Sequence, residues 1–448
     1  MKKNFSGIAL VTMTSVLCLI TPAIGESYSL DLSTSINLAL ENNESYLIAK
    51  KELERAKSQI VEAAAGAMPQ ITGGLTYLRN WKVPTGVFQF GDEIVTVKFG
   101  TDNSYTADLT LTQPLYSGGR TIAAIKIARL YRKLSREIVR QASQDLKVEV
   151  YNAFFGAILA REIRRVSSQS LELARENLEV VEKMYEQGVA SEYDLLRARV
   201  EVANLQPTVT RAETDFEVAT SALKNLLGIG PENELELKVE FDSTQFIIPP
   251  IDISGFEDEL ILNRPEVKIS TYTSEGRKKA ISLYTAGYKP SLNFRTTLQY
   301  QTQFDEGNVF ERRWDRSLSS TLELNIPIFD SWKTPSRVKQ ARIDYTQSEL
   351  QKEAIRKAMI LDLEQSYGKY LEARVNLSAQ GNAVELARRG LEIANVRFEN
   401  GVGTQLEVSD ARLQLQLAEI NNATAFYDLA VGYAKLMRAL GRDLEPIR

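Results

Sequence analysis

Apolar residues recur every three or four positions over two long stretches of the chain, a spacing that predicts amphipathic helices. The stretches cover residues 118–187 and 331–400, and Pro335 is their only proline. About 70 residues of helix would extend about 105 Å, far beyond a compact domain. The apolar seams that approach Gly188 and Gly401 are Leu171, Ala174, Leu178, Val181 and Tyr185, and Val384, Ala387, Leu391, Ala394 and Phe398. Each seam resumes beyond its glycine, which predicts two antiparallel helical hairpins.

Four shorter segments alternate apolar and polar residues with a period of two, which predicts β-strands. They lie at about residues 71–80, 104–113, 291–302 and 317–326. Strands with one apolar and one polar face fit a membrane β-barrel with a wet lumen, and they also fit a soluble β-sandwich. The long helices that adjoin each strand pair favour the barrel. The fold class is therefore α+β and mainly α.

The chain contains a tandem duplication. The segment 185–191 reappears as 398–404, and the separation of Gly188 from Gly401, 213 positions, also relates Pro114 to Pro327. The first repeat has a longer insert, from about residue 81 to 103, which we expect to be an external loop that partly continues the strands as a hairpin. The duplication predicts a first repeat at 26–227, a linker at 228–255, a second repeat at 256–441 and a tail at 442–448.

Residues 1–25 are typical of a secretory signal peptide. Two lysines precede an apolar run from Ile8 to Ile20, and small residues follow it. Signal peptidase recognises these features, so we expect cleavage after Gly25. Cys18 lies inside the run, where lipid attachment is an alternative, although the bulky Leu17 before it disfavours that role.

Composition excludes several classes of function. The chain has no histidine, and its only cysteine would leave with the signal peptide. The mature protein then has no disulfides, no thiolate or imidazole metal sites and no Cys–His nucleophile. We expect no catalytic site, no metal and no cofactor. The net charge of −4 does not favour a nucleic-acid partner. Beyond the signal peptide, no apolar run is long enough to predict a membrane-spanning helix.

The two hairpin tips combine a helix stop with a helix start. A glycine, Gly188 or Gly401, stands where a helix-ending residue with positive φ is wanted. Three residues later come Ser191 and Thr404, which suit the N-cap position. Acidic residues at the third position beyond these, Asp194 and Glu407, predict two reciprocal capping boxes.

A mostly polar stripe follows the second tip. Its members, spaced three and four apart, are Glu407, Asp410, Gln414, Leu417 and Asn421. Asp410 lies too far inside the predicted helix to cap it. The stripe is rotated from the apolar seam, so it fits either the wall of a water-filled bore or a solvated outer face.

Four strands cannot close around a channel, and an open sheet edge is not tolerated in lipid. A barrel therefore requires strands from several chains. Together with the signal peptide and the duplicated plan, the sequence PLYSGG at 114–119 and the tip motifs Y/F-x-x-G-V-x-S/T-x-x-D/E resemble the TolC family of outer-membrane efflux proteins. The resemblance covers nearly all of the mature chain.

The resemblance implies a homotrimer in which a twelve-stranded β-barrel in the outer membrane continues into an α-helical barrel across the periplasm. An equatorial patch would comprise residues 228–255 and the C-terminal tail. The trimer would contact outer-membrane lipid in a Gram-negative bacterium. It would act as the exit duct of a tripartite efflux or type I secretion system, coupled to an inner-membrane pump through a periplasmic adaptor protein.

The resemblance also implies functional residues at the tips. Adaptor hairpins are expected to dock at Gly188, Val189, Ala190 and Ser191 and at Gly401, Val402, Gly403 and Thr404. An acidic ring at the entrance is expected from Glu407 and Asp410, with Asp194 on the first tip. In the best-known member of the family, a tyrosine and an arginine on the second tip help to close the entrance. This chain has Phe398 and Gly403 at those positions, so its entrance cannot close by the same contacts.

Two other interpretations compete with the duct. One is a periplasmic adaptor of the membrane-fusion type, which also carries a long hairpin, but one hairpin rather than two with paired strands, or a helical scaffold protein of an export system. A hydrolase with paired carboxylates could use Asp194 and Glu407, yet capping accounts for both and no nucleophile accompanies them. The sequence does not indicate the cargo.

Overall fold

The computed structural model describes residues 27–238 and 262–444. The predicted signal peptide, most of the predicted linker and residues 445–448 lie outside the described part. The helices are α1 (Leu32–Asn42), α2 (Glu44–Ala65), α3 (Arg120–Glu186), α4 (Glu192–Leu227), α5 (Pro265–Thr285), α6 (Lys333–Glu399) and α7 (Gln405–Ala439). None of the helices within the described ranges is long and apolar enough to span a bilayer.

The strands of residues 27–238 and 262–444 form three separate sheets. They are β1 (Ser27–Leu30), β2 (Gln70–Arg79), β3 (Thr85–Phe90), β4 (Glu93–Lys98), β5 (Asn103–Tyr116), β6 (Glu234–Leu237), β7 (Ser291–Phe304) and β8 (Asp315–Asn325). The largest sheet has the order β2-β5-β7-β8, and all of its neighbouring strands are antiparallel. The pairing of β5 with β7 joins the two repeats. Within the described residues, β2 and β8 each pair on one side only.

One face of the four-stranded sheet is apolar across all four strands. Residues directly opposite one another point to the same face, and the register aligns Leu111 with Ile71 on one side and Thr296 on the other. The same face carries Leu298 opposite Leu318. Its exposed apolar side chains include Ile71, Leu75, Tyr77, Leu109, Leu318, Leu322 and Leu324. The sheet therefore presents an unburied apolar surface, as expected of strands that meet lipid.

The insert of the first repeat forms a second hairpin, β3–β4. Its base is tied to the turn after β7, because Lys98 Nζ donates to Asp102 at 2.8 Å and to Asp305 at 2.7 Å. Asp305 also accepts the backbone N–H of Asp102 at 2.9 Å. These bonds hold the hairpin at the end of the sheet that is remote from the long helices.

The helices pack side by side in two tiers. Near the sheet, the neighbouring helices run α2, α3, α5 and α6; toward the hairpin tips, they run α4, α3, α7 and α6. Helices α3 and α6 belong to both tiers because each has 67 residues. At 1.5 Å per residue, each is about 100 Å long.

A buried core lies where the two tiers meet. Helix α1 packs against α3 and α4 there, and residues of the parallel pair β1–β6 and of α7 belong to the same buried cluster. Phe155 contacts Phe154 and Phe426 edge to face, with ring centroids 5.6 Å and 5.8 Å apart. The sequence pattern did not reveal β1 or β6, since four residues are too few for a periodicity to register. This core holds the two helical hairpins together at the ends opposite their tips, and the tips project away from it.

Candidate functional site: the hairpin tips

The first tip is a tight turn between α3 and α4. Gly188 has a φ of +74°, a conformation that glycine adopts without a steric penalty. The backbone N–H groups of Val189 and Ala190 both donate to the carbonyl of Met184, at 2.8 Å and 3.2 Å. Carbonyls at the end of α3 are thus satisfied before α4 begins.

A complete capping box starts α4. Ser191 Oγ accepts the backbone N–H of Asp194 at 3.2 Å, and Asp194 Oδ2 accepts from the N–H of Ser191 at 3.1 Å and from its hydroxyl at 2.6 Å. The Ser191 hydroxyl, and then its backbone N–H, lower the pKa of Asp194 below its ordinary value. The geometry gives Asp194 a structural function at the helix start.

Replacing Ser191 with alanine is expected to destabilise the first turn of α4 by about 1 kcal/mol, the usual cost of losing an N-cap side chain. The variant should also raise the pKa of Asp194 toward 3.8, its ordinary value. In the unmodified chain, the contribution of ionised Asp194 is present above pH 3.8 and is lost as the pH falls through the lowered pKa. Hydrogen exchange of the amides at 192–195 measures this effect. Ser191→Thr is the matched control, and equal exchange in both variants would contradict the prediction.

The second tip has the same backbone plan but a different charge arrangement. Gly401 has a φ of +72°, and the N–H groups of Val402 and Gly403 donate to the carbonyl of Arg397 at 3.0 Å and 2.9 Å. Thr404 Oγ1 accepts the N–H of Glu407 at 3.3 Å, which is half of the predicted capping box.

The reciprocal half of that box was predicted wrongly. The carboxylate of Glu407 pairs with Arg397 Nε at 3.3 Å, because Arg397 lies on the last turn of α6 and reaches across the tip. Arg397 also donates to the carbonyl of Val402 at 3.2 Å. Its counterpart in the first repeat is Met184, which carries no charge, so the acidic residue there is free to cap its helix. A cation is thus present at the second tip although Gly403 supplies none.

Both tips expose an apolar side chain at their ends. Val189 is 70% exposed and Val402 is 67% exposed. Neither side chain belongs to a buried cluster in the described structure, and both residues contribute backbone hydrogen bonds to their turns. Two equivalent valines at the ends of two hairpins are suited to contact with another protein.

Asp410 lies in a cleft between the two hairpins. The cleft has a volume of about 370 Å³ and is lined by α3, α4, α6 and α7. Two hydrogen bonds bridge it: Ser409 Oγ donates to Glu201 Oε2 at 3.3 Å, and Arg412 Nη1 donates to the carbonyl of Leu173 at 3.3 Å. Burial lowers the pKa of Arg412, and the nearby carboxylate of Glu201 opposes this shift. The hairpins are therefore coupled directly behind the second tip.

The polar stripe on α7 is exposed along its length. Glu407, Asp410, Gln414, Leu417 and Asn421 are all solvent-accessible in the single chain. Its spacing continues to Asp428 and Lys435, which line a second cleft, of about 770 Å³, between α3, α6 and α7. Burial raises the pKa of Asp428, and Lys435 partly opposes this rise. One face of α7 thus remains polar from the tip to the level of the core.

The three predicted acidic residues have separate local environments. Asp194 caps α4, Glu407 pairs with Arg397, and Asp410 lines the cleft between the hairpins. Sequence reasoning missed Arg397 and Arg412. Their positions beside the tip motif were visible, but the partner of a long cationic side chain depends on which helices are neighbours.

Comparison with known proteins shows the class to which the chain belongs. The model of the outer membrane efflux protein family matches residues 35–229 and 258–442. The alkaline protease secretion protein AprF of Pseudomonas aeruginosa is 23% identical over 419 residues, covering 92% of this chain and 84% of that protein. The outer membrane protein TolC of Vibrio cholerae is 21% identical over 421 residues, covering 92% and 90%.

Solved structures share the fold. CusC matches with a TM-score of 0.76 at 20% identity, covering 93% of this chain and 94% of that chain. The outer membrane channel CmeC of Campylobacter jejuni also gives a TM-score of 0.76, at 17% identity, covering 92% and 85%. At these identities the structures show a common architecture.

The chain belongs to the outer membrane efflux protein family, as the duplicated tips and strand pairs indicated. It is an outer-membrane channel protein of a Gram-negative bacterium with a large periplasmic helical part, and it provides an exit duct for export. Channels of this family work as trimers with adaptor and inner-membrane pump partners. The prediction of an efflux or secretion channel is confirmed at this level.

Proposed function

We propose that three copies of this chain form one continuous conduit, with a twelve-stranded barrel in the outer membrane and a helical tube below it. The observation that carries the proposal is the four-stranded sheet. It is apolar on one exposed face and, among the residues that the structure describes, has an unpaired edge at β2 and another at β8. Such edges are not tolerated in lipid. Pairing β8 of one copy with β2 of the next would remove every edge from the ring.

The same arrangement gives each helical surface a function. In a closed tube, the polar stripe on α7 would line the bore, where water and cargo pass. The side chains of Glu407 and Asp410, present three times, would form two acidic rings near the entrance, and the ring of Glu407 would be partly neutralised by Arg397. Crowded like charges repel anions and attract cations. The conduit would act by selective passage, with no catalytic step.

The exposed valines at the tips would receive the hairpins of a periplasmic adaptor, which links the conduit to an inner-membrane pump. The docking surface would comprise Gly188–Ser191 and Gly401–Thr404, with Val189 and Val402 at its centre. Their exposure supports this assignment, since the tips offer apolar contacts that the chain itself leaves uncovered.

The charge rings can be tested in planar bilayers. We expect the double variant Glu407→Gln with Asp410→Asn to show a cation-to-anion permeability ratio that falls toward unity, because the attraction for cations at the entrance is lost. The variant also removes the ion pair between Glu407 and Arg397. The second tip should then be held less firmly, and the open conductance should rise. Glu236→Gln, which alters an exposed side chain of β6 away from the tips, is the control and should leave both quantities unchanged. An unaltered permeability ratio in the double variant would refute the rings while leaving the conduit itself intact.

A further inference from the structure

Two residues with a β-carbon occupy left-handed backbone conformations where β8 leads into α6. Ser331 has a φ of +54° and Trp332 a φ of +64°. Their counterparts in the first repeat are Gly118 and Gly119, with φ of +66° and +90°. Glycine adopts such angles without a steric penalty, whereas serine and tryptophan do not. The second repeat thus maintains a strained junction that the first repeat forms without strain.

The two junctions are otherwise built alike. Before α3, Ser117 Oγ accepts the backbone N–H of Thr121 at 3.3 Å; before α6, Asp330 Oδ2 accepts the N–H of Thr334 at 2.9 Å. A β-carbon added at Gly119 would meet no atom within 4 Å, so the position occupied by Trp332 in the second repeat faces open space. The fold therefore does not require a side chain there. A strained residue that the local fold does not need points to a function.

The surroundings of Trp332 are apolar and uncovered. Trp332 is 71% exposed, and with Ile328, 94% exposed, and Phe329, 75% exposed, it lines a shallow cavity of about 180 Å³. Tyr288 also lines this cavity. These residues follow directly on the exposed apolar face of β8. They lie at the end of the strands that adjoins the periplasmic helices.

A second aromatic row lies at the opposite end of the same sheet face. Tyr77 stacks on Tyr105 with ring centroids 4.5 Å apart, and Tyr105 stacks on Phe304 at 5.8 Å. Aromatic rows at both ends of an apolar band are typical of strands that cross a bilayer, where the rings occupy the two interfaces. The position of Trp332 corresponds to the periplasmic interface.

We propose that Trp332, with Ile328 and Phe329, inserts into the headgroup region of the periplasmic leaflet of the outer membrane and anchors the β8–α6 junction there. The occupant of this surface is phospholipid, because the surface continues the apolar sheet face of an outer-membrane protein. An indole ring suits the interface: its body enters the acyl boundary and its N–H reaches the headgroups. Favourable burial of the ring in lipid offsets the strained backbone. The first repeat has exposed Leu115 and Tyr116 at the positions of Ile328 and Phe329 but glycine at the position of Trp332, so only the second repeat carries the indole.

The proposal can be tested by fluorescence of Trp332 in vesicles. The chain has three tryptophans, so Trp81→Phe with Trp314→Phe leaves Trp332 as the only one. The protein is reconstituted into phospholipids that carry bromine either near the headgroup or near the bilayer centre. We expect blue-shifted emission and stronger quenching by the shallow bromines. Unquenched emission would overturn the proposal: red-shifted light would mean that the ring stays in water, and blue-shifted light that another subunit covers it.

Two controls distinguish a failure of the proposed anchor from a failure of the proposed conduit. A protein that retains only Trp81, which is exposed in the loop at the far end of the sheet, should show unquenched, red-shifted emission. Flotation with the vesicles and bilayer conductance report insertion and channel formation independently. If the chain inserts and conducts while Trp332 is unquenched, the anchor fails and the conduit stands.

A further variant tests whether Trp332 contributes to membrane insertion. Trp332→Gly restores the residue of the first repeat and relieves the strained backbone, so the chain should still fold, as judged by circular dichroism. We expect its insertion into vesicles to slow several-fold, with Trp332→Phe intermediate. Equal insertion rates for all three proteins would overturn the anchoring function.

Discussion

The double variant Val189→Asp with Val402→Asp is expected to abolish export by the channel while leaving its assembly and membrane insertion unchanged. Each valine lies at the end of a hairpin with most of its side chain uncovered. A charge placed there would have to be desolvated beneath an adaptor hairpin, and a buried unpaired charge is strongly unfavourable at an interface. Resistance of intact cells to an exported toxic compound measures the loss.

The design avoids damage to the turns themselves. Gly188 and Gly401 are left in place because their positive φ angles make any substitution there a change in the backbone as well. Val189→Ile with Val402→Ile is the matched control; it keeps the apolar contact and should retain export. Export by the aspartate variant at the normal level would show that the adaptor does not bind at the tips.

Replacing Arg264 with alanine is expected to lower the free energy of unfolding by several kcal/mol. Arg264 is completely buried at the start of α5, where its Nη1 pairs with Asp362 at 2.7 Å and its Nη2 with Glu266 at 3.1 Å. Arg438 approaches the same carboxylate of Glu266 at 3.3 Å. Arg438 would remain as a partner of Glu266, and Asp362 is partly exposed, so the loss should lie at the lower end of the about 3–5 kcal/mol that breaking a buried ion pair costs. The midpoint of denaturant-induced unfolding would measure this loss.

The pH dependence of that variant provides an internal check. Burial raises the pKa of Glu266, but hydrogen bonds and charge from Arg264 outweigh it, and the net pKa is lowered. Without Arg264, the effect of burial is opposed less strongly, so the pKa of Glu266 should rise. The destabilisation should therefore shrink as the pH falls and Glu266 becomes neutral. Arg313→Ala, which removes an almost fully exposed arginine, is the control and should leave the midpoint nearly unchanged. A similarly small effect at Arg264 would contradict the prediction.

The long helices and paired strands could be read from the sequence because each obeys one simple period over many residues. Residues 71–80 were expected to form a strand, and β2 covers Gln70–Arg79. The duplication strengthened this reading, since each repeat supplied an independent copy of the same signal. The tip glycines could also be predicted, because a glycine between two amphipathic helices usually ends the first helix with a positive φ.

What the sequence could not supply were contacts between distant elements. Arg397 reaches Glu407 across a tip, and Arg412 reaches the backbone at Leu173 from the other hairpin. Such pairs depend on the packing of helices rather than on spacing along one helix. The strained Ser331–Trp332 junction was hidden for another reason, since a tryptophan in a left-handed conformation runs against local preference.

The claim that one chain supplies only part of the channel wall is tested most directly by cysteine cross-linking between the edge strands. Cys18 is the only natural cysteine and lies in the predicted signal peptide, so pairs of new cysteines, one on β2 and one on β8, can be scanned without interference. The account predicts that oxidation in membranes gives a ladder of one, two and three linked chains and nothing larger. Cross-links confined to single chains would show that the sheet closes on itself, and the conduit would have to be abandoned.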